Sequence, residues 1–153
     1  MLWTWARLAW RDWIEREPVQ LDPTSFSADL DLIAALEKKA TPVVCDSERV
    51  LFMQGDPPVG LYLLRSGAAR LTMDSPEGKP IISVEAPKDS LLGLPGLLAN
   101  QPYSLTATVE AGAVVGFIPR DEFVSLMQSE PTVALKVLAV LAAEVRSARR
   151  AIN

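Results

Sequence analysis

The chain has 153 residues, of which 49% are apolar and 22% are charged, and its net charge is −4. This length and composition are typical of one globular domain with a single core. The negative charge, without any block of lysine and arginine, argues against a primary role on nucleic acid, because such binding depends on basic side chains that contact phosphates.

The residue types that most often carry chemistry are scarce. The chain has no histidine and one cysteine, Cys45, which argues against a zinc site and excludes an internal disulfide. We expect a buried, inert thiol, and we find no glycine-rich phosphate loop and no catalytic spacing of carboxylates. The sequence therefore predicts a protein that is not an enzyme and holds no metal.

Neither export nor membrane insertion is predicted. No apolar run approaches the roughly 18 residues needed to cross a bilayer, and no basic stretch followed by a hydrophobic region opens the chain. We expect a cytoplasmic protein.

The chain begins with a predicted amphipathic helix, Met1–Glu17, which Pro18 ends. It carries all four tryptophans, and we predict that residues 1–26 form this helix and a linker ahead of a domain over residues 27–153. Three interpretations of the tryptophans stay open: docking on the same domain or a dimer mate, docking on a partner protein, or a membrane surface. We favour the first, and we do not expect membrane binding because the charges of this helix balance.

A second helix is predicted to begin near Ser27, as its N-cap, with Leu30, Ile33 and Leu36 facing inward. From Thr41 the texture changes to short β-branched or aromatic runs divided by turn residues, which is typical of a sandwich or barrel. The predicted strands are Pro42–Cys45, Arg49–Gln54, Leu61–Ser66, Ala68–Met73, Ile81–Glu85, Leu105–Val109 and Val114–Ile118, with a turn over residues 74–78.

The end of the chain is predicted to be helical, with a short helix Asp121–Gln128 and a long one Thr132–Ile152 whose first turn includes Pro131. The long helix has a broader apolar stripe than packing on its own sheet requires. We predict a homodimer through the residues Leu138, Leu141, Ala142, Val145 and Ala148.

Two stretches resemble one family. Residues 54–67, with the sequence QGDPPVGLYLLRSG, and residues 106–123 are similar to strand signatures of the cyclic-nucleotide-binding (Crp/Fnr-like) superfamily. The resemblance implies a mainly β fold with flanking α-helices: a double-stranded β-helix jelly roll with N-terminal helices and a long C-terminal helix that family members commonly use to dimerise. It also implies that Leu61 and Leu63 alternate with Tyr62 and Leu64 across a sheet.

The resemblance places the ligand in residues 92–107, here called the cassette, where a short helix offers amides to a cyclic phosphate. A family glutamate that binds the ribose is replaced by Leu94, and the family arginine that binds the phosphate falls on Tyr103 or Leu105. No basic residue occurs between Lys88 and Arg120. The candidate ligand-binding residues are Leu92, Gly93, Leu94, Gly96, Tyr103, Ser104, Leu105 and Thr106.

We therefore expect no cofactor and no high-affinity binding of cyclic AMP or cyclic GMP. The cysteine cluster by which oxygen sensors of the Fnr-like branch hold iron and sulfur is absent from the sequence. The helix-turn-helix of the family's transcription factors is absent as well, so we expect no direct contact with DNA. Our preferred hypothesis is a sensor for a small-molecule ligand, which needs an open cassette. The alternatives are a scaffold for dimerisation and partner docking, whose cassette is filled by Leu94, Leu97 and Tyr103, and a true cyclic-nucleotide receptor that uses non-standard contacts.

Overall fold

The structure is a computed structural model that describes residues 17–152. Residues 1–16, which carry the predicted tryptophan-rich helix, lie outside the described residues. The strands are β1 (Thr41–Val43), β2 (Arg49–Phe52), β3 (Gly60–Ser66), β4 (Ala69–Asp74), β5 (Pro80–Ala86), β6 (Ser90–Leu92), β7 (Thr106–Val109) and β8 (Val114–Pro119). The α-helices are α1 (Leu30–Glu37), α2 (Leu94–Ala99), α3 (Arg120–Ser129) and α4 (Pro131–Ile152), and a 3-10 helix spans Pro23–Phe26.

The strands form two antiparallel sheets of four strands each, in the orders β1-β8-β3-β6 and β2-β7-β4-β5. Each sheet contains strands from both ends of the β region, since β1 pairs with β8 and β2 pairs with β7. This arrangement, with the long C-terminal helix, confirms the predicted jelly roll.

The strand β3 divides two hydrophobic cores. Leu61 and Leu63 face a core that they share with α1, α2, α3 and the first half of α4. Leu64 faces the core between the sheets, and Tyr62 packs against that core as well. The predicted alternation along this strand is therefore confirmed, and it follows from the period of two in a pleated strand.

All seven predicted strands are present, with ends within two residues of the prediction, but the sequence analysis missed β6. This strand has only three residues, and all three are buried. Because it is covered on both faces, it lacks the alternation of apolar and polar residues by which strands are recognised.

Two predictions for α1 are wrong. Its N-cap is Asp29, whose carboxylate accepts a hydrogen bond from the Leu32 backbone N–H at 2.7 Å, and not Ser27. The predicted inward residue Leu30 is 76% exposed, whereas Leu32 is buried. The inward face is formed by Leu32 together with Ile33 and Leu36, which are buried as predicted.

The predicted linker before α1 is also corrected. Asp22 caps the 3-10 helix, and Phe26 at its end is buried in the core between the sheets. The Val19 N–H donates to the Ile81 carbonyl at 2.6 Å. This segment is therefore held on the jelly roll, and the predicted division at residues 26 and 27 stays a prediction.

The remaining local predictions agree with the structure. The turn after β4 contains Gly78 at φ +83°, α4 begins at Pro131 as its first residue, and α3 extends one residue beyond the prediction at each end. Cys45 is a free, buried thiol.

Candidate functional site

The cassette connects β6 to β7 and contains α2. Gly93 is the N-cap of α2 and has a φ of +92°, which favours glycine, while Asn100 ends the helix in the same left-handed region. Gly96 packs under the following turn, because a Cβ atom there would lie 2.8 Å from the Gln101 carbonyl oxygen. The two glycines are therefore required by the backbone itself, whether or not a ligand binds.

Tyr103 is tied to β3 through its hydroxyl group. The hydroxyl donates a hydrogen bond to the Gly60 carbonyl at 2.5 Å and accepts one from the Gly60 N–H at 3.1 Å. Burial raises the pKa of Tyr103, so the hydroxyl keeps the proton that it donates. Its backbone is also fixed, since its N–H donates to the Asp56 carbonyl and its carbonyl accepts from the Gly55 N–H. Tyr103 is therefore held by both its main chain and its side chain.

The ring of Tyr103 lies over the start of α2. It stacks on Phe52 with ring centroids 4.0 Å apart, and a Cβ atom on Gly93 would lie 2.6 Å from Tyr103 Cε1. An aromatic side chain therefore occupies the space over the N-cap of α2.

Only a small cavity of about 20 Å³ is left beside this ring. That volume is close to the space that one water molecule needs. Six of the eight predicted ligand-binding residues line the cavity, namely Leu92, Gly93, Gly96, Tyr103, Ser104 and Leu105.

The structure does not bring the other two predicted residues to the cavity. Leu94 is fully buried in the core on the helix side of the sheet. The Thr106 hydroxyl accepts a hydrogen bond from the Gln54 N–H at 2.9 Å. Both side chains therefore have structural contacts elsewhere.

The N-terminus of α2 offers one backbone donor fewer than usual. Its second residue is Pro95, which has no N–H, and the first hydrogen bond within the helix runs from the Leu97 N–H to the Gly93 carbonyl at 3.2 Å. A phosphate at this helix would therefore find one amide fewer than at an ordinary N-terminus. Sequence analysis could have read this from Pro95, which lies directly after Leu94.

Three arginines that could have supplied a cation do not line the cavity. Arg120 Nε donates to the Leu97 carbonyl at 3.2 Å, toward the C-terminal end of α2. Arg65 pairs with Glu37 and Asp89, and Arg70 is exposed on the opposite face of β4 from the buried Leu71. No cationic side chain within residues 17–152 lines the cavity.

The ionisable group that sequence analysis missed is Glu144 on α4. This residue lines the cavity, and its Oε2 atom is buried without a hydrogen-bond partner among the described residues. Burial raises the pKa of Glu144 from 4.5 to about 8. A signal was present, because Val133, Val137 and Val140 continue to Glu144 at the spacing of one helix face.

The rest of α4 presents an apolar face outward. Leu138 and Val145 are 48% and 43% exposed, Ala142 is exposed, and Leu141 and Ala148 are half-buried. Leu135, which was not among the predicted dimer residues, is 69% exposed. Three of the five predicted dimer residues are therefore accessible in a single chain.

The described part of the chain contains neither a metal-binding cluster nor a single membrane-spanning helix. Within residues 17–152, no group of three or more histidine, cysteine, aspartate or glutamate side chains is arranged to hold a metal ion. No single helix there is long and apolar enough to cross a membrane. The pair α3 and α4 passes that test only jointly, with a bend of 117° between the helices.

Comparison with known proteins gives a match to one family. Residues 42–130, more than half of the chain, match the sequence model of the family described as "Cyclic nucleotide-binding domain". The match covers β2 to β8, α2 and α3, and so includes the whole cassette.

Two individual relatives are less than 30% identical to this chain over the matched residues. A CRP-like cAMP-activated global transcriptional regulator of Mycobacterium tuberculosis is 27% identical over 115 residues, which cover 74% of this chain and 51% of the regulator. A lysophospholipase of Neurospora crassa, nte1, is 28% identical over 105 residues, which cover 69% of this chain and 7% of that protein. The chain therefore spans about half of one relative and a small part of the other.

A solved structure supports the fold. The catabolite activator protein of Thermus thermophilus superposes with a TM-score of 0.69 at 23% sequence identity, over 84% of this chain and 60% of that protein. The common part is the jelly roll with its helices.

Proposed function

This chain belongs to the cyclic nucleotide-binding domain family, and we propose that it is a non-enzymatic regulatory module whose cassette does not bind cyclic AMP or cyclic GMP with high affinity. The observation that carries the proposal is the position of Tyr103. Its ring fills the space over Gly93, and two hydrogen bonds to Gly60 hold it there.

The charges of the cassette support the same conclusion. A cyclic phosphate needs a cation or several amides, whereas Pro95 removes one amide and no cationic side chain among the described residues lines the cavity. Loss of one charge-assisted hydrogen bond costs about 1.5–3 kcal/mol, which is a ten- to hundredfold loss of affinity. An anionic ligand at this cavity would lose that contact.

Isothermal titration tests this proposal with cyclic AMP, cyclic GMP and cyclic di-GMP. We expect no binding by the unmodified protein at about 100 µM nucleotide. The matched variants are Tyr103→Ala, which removes the ring over Gly93, and Tyr103→Phe, which retains the ring and removes only the hydroxyl that binds Gly60. A dissociation constant in the micromolar range or below for the unmodified protein would contradict the proposal.

A filled cassette supports the scaffold hypothesis over the hypothesis of a sensor with an open ligand site. Leu94, Leu97 and Tyr103 are each 2% exposed or less. We propose that the output passes through assembly, in a homodimer formed by the outer face of α4, and that the protein acts in the cytoplasm without contacting nucleic acid itself. The four tryptophans of residues 1–16 remain a candidate docking element for the same domain or for a partner protein.

Light scattering coupled to size-exclusion chromatography tests the dimer. We expect a mass of two chains for the unmodified protein and of one chain for Leu138→Glu, because a charge in the apolar face opposes its burial in a dimer. Arg70→Glu, on the outer face of β4, is the control and should remain dimeric. A single-chain mass for the unmodified protein at tens of micromolar would exclude this interface.

A further inference from the structure

The inner face of α4 changes character along the helix. Val133, Val137 and Val140 are buried in the helix-side core. The next two positions of the same face are Glu144, at the cassette cavity, and Ser147, which is 6% exposed. The second half of α4 therefore rests on the jelly roll through polar groups.

These polar groups contact the cassette side of the molecule at two points. The Ser147 hydroxyl accepts a hydrogen bond from the Asp22 backbone N–H at 2.7 Å. Glu144 shares the cavity with Phe26, Phe52 and Tyr103. The second half of α4 thus closes the cavity from outside, and the cassette cannot widen in this direction while the helix stays in place.

Among the described residues that line the cavity, no cationic side chain compensates an ionised Glu144 carboxylate. Tyr103 is the other titratable residue at the cavity, and burial raises its pKa, so it stays neutral. On the neighbouring N-terminal segment the charged group is Asp22, which is acidic and lies near Arg150 of α4. The other residues of β2, β4 and the 3-10 helix that line the cavity, Phe52, Leu71 and Phe26, are apolar.

We propose that the second half of α4 is a protonation-dependent latch on the cassette: the neutral carboxyl group of Glu144 seats in the cavity, and its ionisation loosens residues 141–152 and opens the cassette. The inference concerns the closing of the cassette and stands whether or not a cyclic nucleotide binds there.

The sign of the effect follows from the direction of the pKa change. The pKa of Glu144 is about 8 in the closed state and 4.5 when the side chain is in water. Below pH 4.5 the Glu144 carboxyl group is neutral in both states, and closure of the cassette is favoured fully. Closure weakens as the pH rises from 4.5 to about 8 and changes no further above that pH. Over that range the opening equilibrium shifts by up to about tenfold per pH unit.

Hydrogen exchange of the full chain, followed by mass spectrometry from about pH 5 to pH 9, tests the latch. The measured quantity is the ratio of the exchange rate in the unmodified protein to that in Glu144→Gln, which cannot ionise. We expect this ratio to rise by up to about tenfold per pH unit in peptides from residues 141–152 and 93–105, and to level off above about pH 8. Peptides from β3 should show a constant ratio.

Two matched variants complete the test. Glu122→Gln removes an exposed glutamate of α3 and should exchange like the unmodified protein at every pH. Glu144→Leu replaces Glu144→Gln in the comparison if the latter does not fold. A ratio that stays constant with pH in residues 141–152, or one that rises equally in β3, would overturn the latch.

Discussion

The two halves of α4 contact the molecule through the same helical spacing but with different chemistry. In the first half, Val137 is fully buried and Val140 is 6% exposed, and they pack with Phe123 of α3. In the second half, the corresponding positions are Glu144 and Ser147, which meet the cavity and the Asp22 N–H. The first half is attached by apolar burial, which does not depend on pH, and the second by polar groups, which can be released.

This difference shows why the long helix could not be understood from its apolar stripe alone. The residues chosen from the sequence, such as Leu138 and Val145, lie on the outer face and are accessible to a second copy. The apolar face that packs on the helix-side core is narrower and ends at Val140 and the half-buried Leu141. A helix with two faces in use explains why its apolar stripe is broader than packing on one sheet requires.

The largest expected effect on the free energy of unfolding comes from a substitution in the first half of α4. Val137→Ala should lower the free energy of unfolding by about 2–3 kcal/mol, because it removes two buried methyl groups and leaves a cavity. Urea denaturation measures the loss. The matched control is Val44→Ala at a valine that is 64% exposed, which should change stability by less than about 0.5 kcal/mol. Equal effects of the two variants would mean that the first half of α4 is not firmly packed.

The fold was predictable where local chemistry determined it. Turn residues such as Gly78 and the strand signature around Gly60 are visible in the sequence, and the structure agrees with them. The prediction failed at β6, which is buried on both faces, and at Ser27 and Asp29, since either residue is an acceptable N-cap and only packing decides between them.

The candidate site was predictable in its position but not in its lining. The glycines and Tyr103 mark the cassette in the sequence, and six predicted residues meet at one cavity. Glu144 follows them by about forty positions, and its place at the cavity depends on how α4 crosses the 3-10 helix. The helical spacing places Glu144 on the inner face of α4, but its contact with the cavity is set by tertiary packing and does not follow from the sequence.

A smaller effect on the free energy of unfolding is expected at Tyr103, which lines the cavity that the second half of α4 covers. Tyr103→Phe keeps the ring that stacks on Phe52 and removes the hydroxyl that binds Gly60 twice. The loss should be about 1–2 kcal/mol in urea denaturation, because buried backbone groups lose a partner. Tyr62→Phe, in the same aromatic cluster, removes a hydroxyl from a half-buried ring and should cost less than about 0.5 kcal/mol.

Tyr103→Phe also shows whether the cassette is closed by the ring itself or by the hydrogen bonds that hold the ring on Gly60. If the ring alone closes the cassette, Tyr103→Phe leaves the hydrogen exchange of residues 93–105 unchanged relative to the rest of the chain. If the bonds to Gly60 hold the ring in place, exchange in these residues increases more than in β4, because the ring can then leave Gly93 without global unfolding. We expect the second result, since the Tyr103 hydroxyl both donates to and accepts from Gly60 and so ties the cassette to β3.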